Sequence, residues 1–289
     1  MPVFAYVANQ NSDNVSVIDT TSNTEIDLIS LTGEGPVYIA ITPDGSRAYV
    51  NKLTGSISVI DTNPTSPTFN SEIDVILLPG TELINIAITP DGTRAYLTEQ
   101  NSNNVHVIDT NPASPAFNTE VELITITGFS SPGIAITPDG TRAYVVNAGT
   151  NNISVIDTNP ASPTFNTEID LISLTGNLPI GIATTPNGTR AYDTNNSSNN
   201  VSVIDINPAS PTYNTEIDLI ALTGVSPFGI AISNNRADLS LIGMAIPNPA
   251  TIEDPLTLSI TVVNNGPDPA TGVFHQHTSR SFSIYFSHV

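Results

Sequence analysis

The chain has 289 residues, with 7 Lys+Arg against 27 Asp+Glu and a formal charge of −20. That balance argues against nucleic acid and membrane insertion, because nucleic acid and anionic membrane surfaces are read through basic patches and no run of about 18 apolar residues could form a spanning helix. The absence of cysteine removes disulfides, thiolate catalysis and thiolate-held metals together.

From its start the chain reads as strands. MPVFAYVANQ carries no basic segment followed by an apolar one, so no ordinary secretory signal is expected. The triplet Val-Ile-Asp ends at Asp19, Asp61, Asp109, Asp157 and Asp205, at intervals of 42, 48, 48 and 48. Ala-Tyr pairs recur ahead of it at Tyr6, Tyr49, Tyr96, Tyr144 and Tyr192, and acidic strands follow it at Glu25, Glu72, Glu120, Glu168 and Glu216. The apolar runs are short, partly alternating and rich in Val, Ile and Tyr, which is strand patterning. Thr-Pro-Asp-Gly at 42–45, 89–92 and 137–140, and Asn-Pro-Ala-Ser-Pro at 111–115, 159–163 and 207–211, are turn and loop chemistry.

Four strands per unit at a period of about 40–50 residues predict an all-β fold, a β-propeller occupying 1–235. The chain opens on the second strand of a unit, and its last clear strand, Gly229 to Ser233, is a first strand. Five four-stranded blades are therefore expected, with the last strand completing the first blade and leaving no free edge. Tyr6-Val7-Ala8-Asn9, Tyr49-Val50-Asn51-Lys52 and Tyr144-Val145-Val146-Asn147 resemble the YVTN repeats of microbial surface-layer and cell-surface propellers. Tyr96-Leu97-Thr98-Glu99 and Tyr192-Asp193-Thr194-Asn195 depart from that pattern, and Asp193 stands where the other copies are aliphatic. From 236 to 289 the composition changes. Ala237 to Val273 resembles the start of an immunoglobulin-like surface repeat, and 274–289 reads as an irregular tail.

No catalytic or metal-binding signature interrupts the repeat, so no catalytic residue, metal ligand or cofactor is assigned from it. Arg47, Arg94, Arg142 and Arg190 should face Asp61, Asp109, Asp157 and Asp205 across a hairpin, each pair contributing roughly 0.2–1 kcal/mol. His106 stands where other copies carry Ser and reads as a surface or half-buried residue without a partner; His275 and His277 lie in the tail. Loops vary on one face only, which makes that face the candidate binding surface. It offers Asn11, Lys52, Glu99, Asn101, Asn147 and Asn195 from one set of loops, and Tyr38, Phe129 and Phe228 from the other.

The resulting expectation is a non-enzymatic binding or structural module, a monomer, of a microbial cell or spore surface. It would present its Asn-rich face to a glycan, peptide or protein, with a cytoplasmic location left open. The alternative is a metal-dependent, lactonase- or lyase-like propeller enzyme with its site in the central channel.

Overall fold

The computed structural model describes residues 3–79, 81–233, 239–246 and 257–264. The chain divides into two compact units, Met1–Ile232 and Ser233–Val289. In the first unit, strands β1 (Phe4–Asn9), β2 (Asn14–Asp19) and β3 (Thr24–Ser30) form a three-stranded sheet. Four-stranded sheets follow: β4 (Pro36–Ile41), β5 (Arg47–Lys52), β6 (Ser56–Asp61) and β7 (Ser71–Leu77); then β8 (Leu83–Ile88), β9 (Arg94–Glu99), β10 (Asn104–Asp109) and β11 (Glu120–Thr125). The next holds β12 (Gly133–Ile136), β13 (Arg142–Asn147), β14 (Asn152–Asp157) and β15 (Glu168–Ser173). The last holds β16 (Pro179–Thr184), β17 (Arg190–Asn195), β18 (Asn200–Asp205) and β19 (Thr215–Ala221). All neighbours pair antiparallel. The second unit contributes a hairpin of β20 (Leu239–Ile246) and β21 (Thr257–Asn264); the rest of 236–289, including His275 and His277, lies outside the described residues.

Successive sheets pack through their innermost strands, β1 on β4, β4 on β8, β8 on β12 and β12 on β16. This is the propeller arrangement the repeat predicts. Each seam between sheets holds an apolar cluster. Val15, Val17 and Ile29 meet Ala48, Val50 and Ile60; Tyr49, Ile57 and Val59 meet Ala95, Leu97 and Ile108. The next two seams repeat the pattern. A strand therefore aims alternate side chains at the blade before and the blade after it, and burying each Ile or Val contributes roughly 1.5–3 kcal/mol.

The Thr-Pro-Asp-Gly turns close as their sequence predicts. Gly45 Nα donates to the Thr42 carbonyl at 2.8 Å, with Gly45 at φ 71, and the Thr42 hydroxyl donates to Asp44 at 2.6 Å. Arg94–Asp109, Arg142–Asp157 and Arg190–Asp205 pair at 2.9, 2.8 and 2.8 Å. Arg47 instead lies over the Phe117 ring, 5.1 Å from its centroid.

The expected closing strand does not form. Residues 229–233 take no strand, and among the described residues nothing pairs with the free edge of β1. At the other end Ile220 is 42% exposed, whereas its counterparts Ile76, Ile124 and Ile172 are buried. Among the described residues of the first unit no further sheet packs on the fifth, and Ile220 is left exposed.

Candidate functional site

At the top of each seam sits a polar node built by the same positions of every unit: the last residue of the second strand, the third residue of the third strand, and the glutamate that opens the fourth. The last residue of the second strand points back toward the preceding blade, on the same side as the apolar positions two and four residues earlier. The Ser position lies diagonally across from it, opposite the residue two earlier on the second strand, and the glutamate comes from the adjacent fourth strand.

In the second blade the node holds Lys52, Ser58 and Glu72. Lys52 is fully buried, its Nζ donates to the Thr32 carbonyl and lies 3.7 Å from Glu72, and the Ser58 hydroxyl donates to Glu72. Burial lowers the Lys52 pKa, and the nearby Glu72 charge opposes that shift. In the fourth blade the node is neutral apart from one carboxylate. Asn147 Nδ2 donates to Asn152 and Ser154 at 2.8 Å each, its Oδ1 accepts from Ser131 at 2.9 Å, and Glu168 accepts from Thr127 Nα at 2.9 Å.

The third blade differs. His106 replaces Ser and is 4% exposed. Its Nδ1 lies 2.7 Å from Glu120 Oε1, and its Nε2, 3.6 Å from Glu99 Oε2, has no hydrogen-bond partner. Because a carboxylate only accepts, the Glu120 contact places a proton on Nδ1, and Nε2 is left without a hydrogen bond. Asn104 Nδ2 holds Glu99 at 3.0 Å. The Glu120 side chain is 34% exposed, whereas His106 Nε2 is itself buried.

The fifth blade differs again. Asp193 and Asn195 are both fully buried, Asn195 Nδ2 donates to Ser202 at 2.8 Å, and Glu216 Oε2 accepts from Thr175 Nα at 2.9 Å. Both Asp193 oxygens, Asn195 Oδ1 and Glu216 Oε1 are buried without a partner. Burial, and then the Glu216 charge, push the Asp193 carboxyl up to about 8.

The structure separates the residues expected to form one binding face. Lys52, Asn147 and Asn195 are fully buried and Glu99 is half-buried, because strand ends close against the seam and not into loops. Asn11 and Asn101 are exposed at turns, Asn101 at φ 54. Tyr38 is half-buried against a seam cluster, while Phe129 and Phe228 are exposed at 46% and 62%. The exposed members of the set are thus Asn11, Asn101, Phe129 and Phe228. His106, read as partnerless, is flanked by two carboxylates. The signal was present in the sequence: Glu99 and His106 both depart from the repeat, and both belong to one hairpin.

The innermost strands β4, β8, β12 and β16 carry no carboxylate or imidazole, and among the described residues no group of three His, Asp or Glu side chains is placed to hold a metal. The channel metal of the alternative reading thus has no ligand set on these strands.

A family model described as lactonase, 7-bladed beta-propeller, matches residues 85–216, a span that contains Glu99, His106 and Glu120. No curated protein matches the sequence. Among solved structures, the Kuenenia stuttgartiensis hydrazine synthase is similar at 25% identity and a TM-score of 0.59, covering 78% of this chain and 73% of that one. The periplasmic gluconolactonase of Pseudomonas aeruginosa is similar at 18% identity and a TM-score of 0.64, covering 78% and 68%. A chain of the mitotic checkpoint complex gives 14% identity and 0.63, covering 78% and 64%. These structures place the chain in the propeller class. The lactonase match overturns the expectation of a non-enzymatic surface module.

Proposed function

We propose that the chain is a lactonase-type propeller hydrolase in which His106 is the general base. The observation that supports this is the His106 dyad, an imidazole held at Nδ1 by Glu120 with a free Nε2, inside the stretch that matches the lactonase family. Lactone hydrolysis needs a water deprotonated as it attacks the acyl carbon, and a neutral imidazole oriented by a carboxylate does this near neutral pH. The proton taken by Nε2 would then pass to the ring oxygen as the acyl–oxygen bond breaks, giving the hydroxy acid. Glu99, close to Nε2, would stabilise the imidazolium formed in between. The YVTN-like repeat describes the blades on which this dyad is mounted.

The test is hydrolysis of glucono-1,5-lactone by the purified chain, followed by acid release above the spontaneous rate. His106→Gln, of similar reach and without a titratable nitrogen, should lose about 10²–10⁴-fold. A wild-type rate equal to the buffer background, or an unchanged rate in the variant, would refute the reading.

A further inference from the structure

We infer that the seam node of the fifth blade is a divalent-cation site of calcium type, formed by Asp193, Glu216, Asn195 and Ser202. The inference rests on comparing four equivalent nodes and is independent of the hydrolase reading.

Each node contains the glutamate that opens the fourth strand, and the chain handles its charge differently each time. Lys52 sets an ammonium against Glu72. His106 sits between Glu99 and Glu120. In the fourth blade Glu168 is the only carboxylate, and Asn147 spends both ends of its amide on Ser131, Asn152 and Ser154. The fifth blade adds a second carboxylate, Asp193, and supplies no Lys, Arg or His against it. Its Asn195 carbonyl oxygen also lacks the hydroxyl donor that Ser131 provides one blade earlier.

Four buried acceptor atoms therefore go without donors, Asp193 Oδ1 and Oδ2, Asn195 Oδ1 and Glu216 Oε1, whereas the fourth node leaves only Glu168 Oε1 without one. Asp193 and Asn195 lie two apart on β17 and so share a face, and Ser202 is directly across from Asp193 on β18. The second blade shows that these positions converge, since Lys52 and Ser58, at the Asn195 and Ser202 positions, both reach the glutamate. Unpartnered buried oxygens are costly, and a cation is what satisfies acceptors that have no donors. The ligands are all oxygen, which selects a hard ion. Two carboxylates match a double charge, whereas a monovalent ion would leave one negative charge buried. A ligand set fixed by a packed seam is irregular, which calcium tolerates better than magnesium.

The experiment uses the full chain, stripped with chelator and titrated with CaCl₂ by calorimetry and by thermal unfolding. One ion should bind per chain, and the unfolding midpoint should rise by about 5 °C at a hundredfold excess over the dissociation constant. Asp193→Val restores the side-chain type of the other blades and should fold while losing both responses. Glu216→Gln should weaken binding at least about tenfold through loss of one ligand charge. A stripped wild-type chain that shows neither heat nor midpoint shift overturns the inference, as does Asp193→Val responding like wild type.

Discussion

The nodes of the third and fifth blades occupy the same address in the repeat and have opposite characters. In the third, a cationic-capable imidazole is bracketed by two carboxylates and keeps one nitrogen free. In the fifth, two carboxylates and an amide oxygen converge with nothing cationic among them. The backbone around them is the same: identical antiparallel pairing and a bulge at the same place, after Val107 and after Val203. The difference lies wholly in two or three side chains on a fixed frame, so the frame can be held constant while chemistry is exchanged.

The largest effect that would break the comparison is on catalysis. His106→Ser installs the residue the other units carry and should remove lactone hydrolysis by about 10²-fold or more, while far-ultraviolet circular dichroism stays that of wild type. If activity survives His106→Ser, the third node is structural like its neighbours. Next is stability without added metal. Asp193→Val removes a buried carboxyl with two unpartnered oxygens and fills a seam position that Val50, Leu97 and Val145 fill elsewhere. Denaturant unfolding in chelator should show a gain of about 2 kcal/mol; a loss would mean that the carboxyl has donors and that the fifth node is already satisfied.

The propeller was legible because strand periodicity, turn residues and repeat spacing all act locally and agree with one another. The Thr42 to Gly45 turn forms as its residues require, and three of the four Arg–Asp pairs appear where hairpin register puts them. Arg47 misses because Phe117, from the neighbouring blade, offers an aromatic face that no local pattern reveals. The candidate site was less legible for the same reason. Lys52, Asn147 and Asn195 end strands and sit beside Asn-rich turns, so sequence alone places them in loops; only blade-against-blade packing shows that they face inward. His106 and Asp193 were visible as departures from the repeat. Their partners, Glu120 and Glu216, lie 14 and 23 residues further on, and a sequence does not show that the fourth strand brings each glutamate to the node.

A contrast of intermediate size comes from acids that are satisfied. Asp157 and Asp205 also lie buried, yet each sits among donors. Asp157 accepts from Ser162 and Thr164 at 2.6 Å each, from Asn159 Nα at 3.0 Å and from Arg142 at 2.8 Å. Burial pushes the Asp157 carboxyl up, but the two hydroxyls, the backbone donor and the guanidinium outweigh it and hold it below the usual range. Asp61 and Asp205 are held down in the same way. A carboxyl lowered on folding contributes stability that is complete above the unfolded value of about 3.9 and is lost as pH falls through the folded one. Stability should therefore be insensitive to these groups near neutrality and decline below about pH 4. Asp157→Asn should cost about 1–2 kcal/mol at neutral pH and progressively less in acid, measured by urea unfolding across the pH range. An equal cost at both ends would mean that shape, not charge, holds the loop.

The smallest effect tests how the seams are tied. Tyr144 Oη donates to Asn214 Oδ1 of the next blade at 2.8 Å, and Asn214 Nδ2 donates back to Asp170 at 2.9 Å. The chain repeats this clasp with Tyr6 and Asn70, Tyr49 and Asn118, and Tyr96 and Asn166, each Asn held at positive φ between 56 and 58. Asn tolerates that conformation better than most residues, which is why the turn can aim its amide across the seam. Among the described residues Tyr192, in the fifth blade, has no such Asn opposite it. Tyr144→Phe leaves an acceptor buried in a closed seam and should cost about 1 kcal/mol. Tyr192→Phe deletes the same atom where, among the described residues, no following blade packs against it, and should cost nothing measurable. The pair of variants thus reports on the seam itself: equal costs would show that the Tyr192 hydroxyl is clasped too, and that the fifth blade has a covering partner equivalent to those inside the arc.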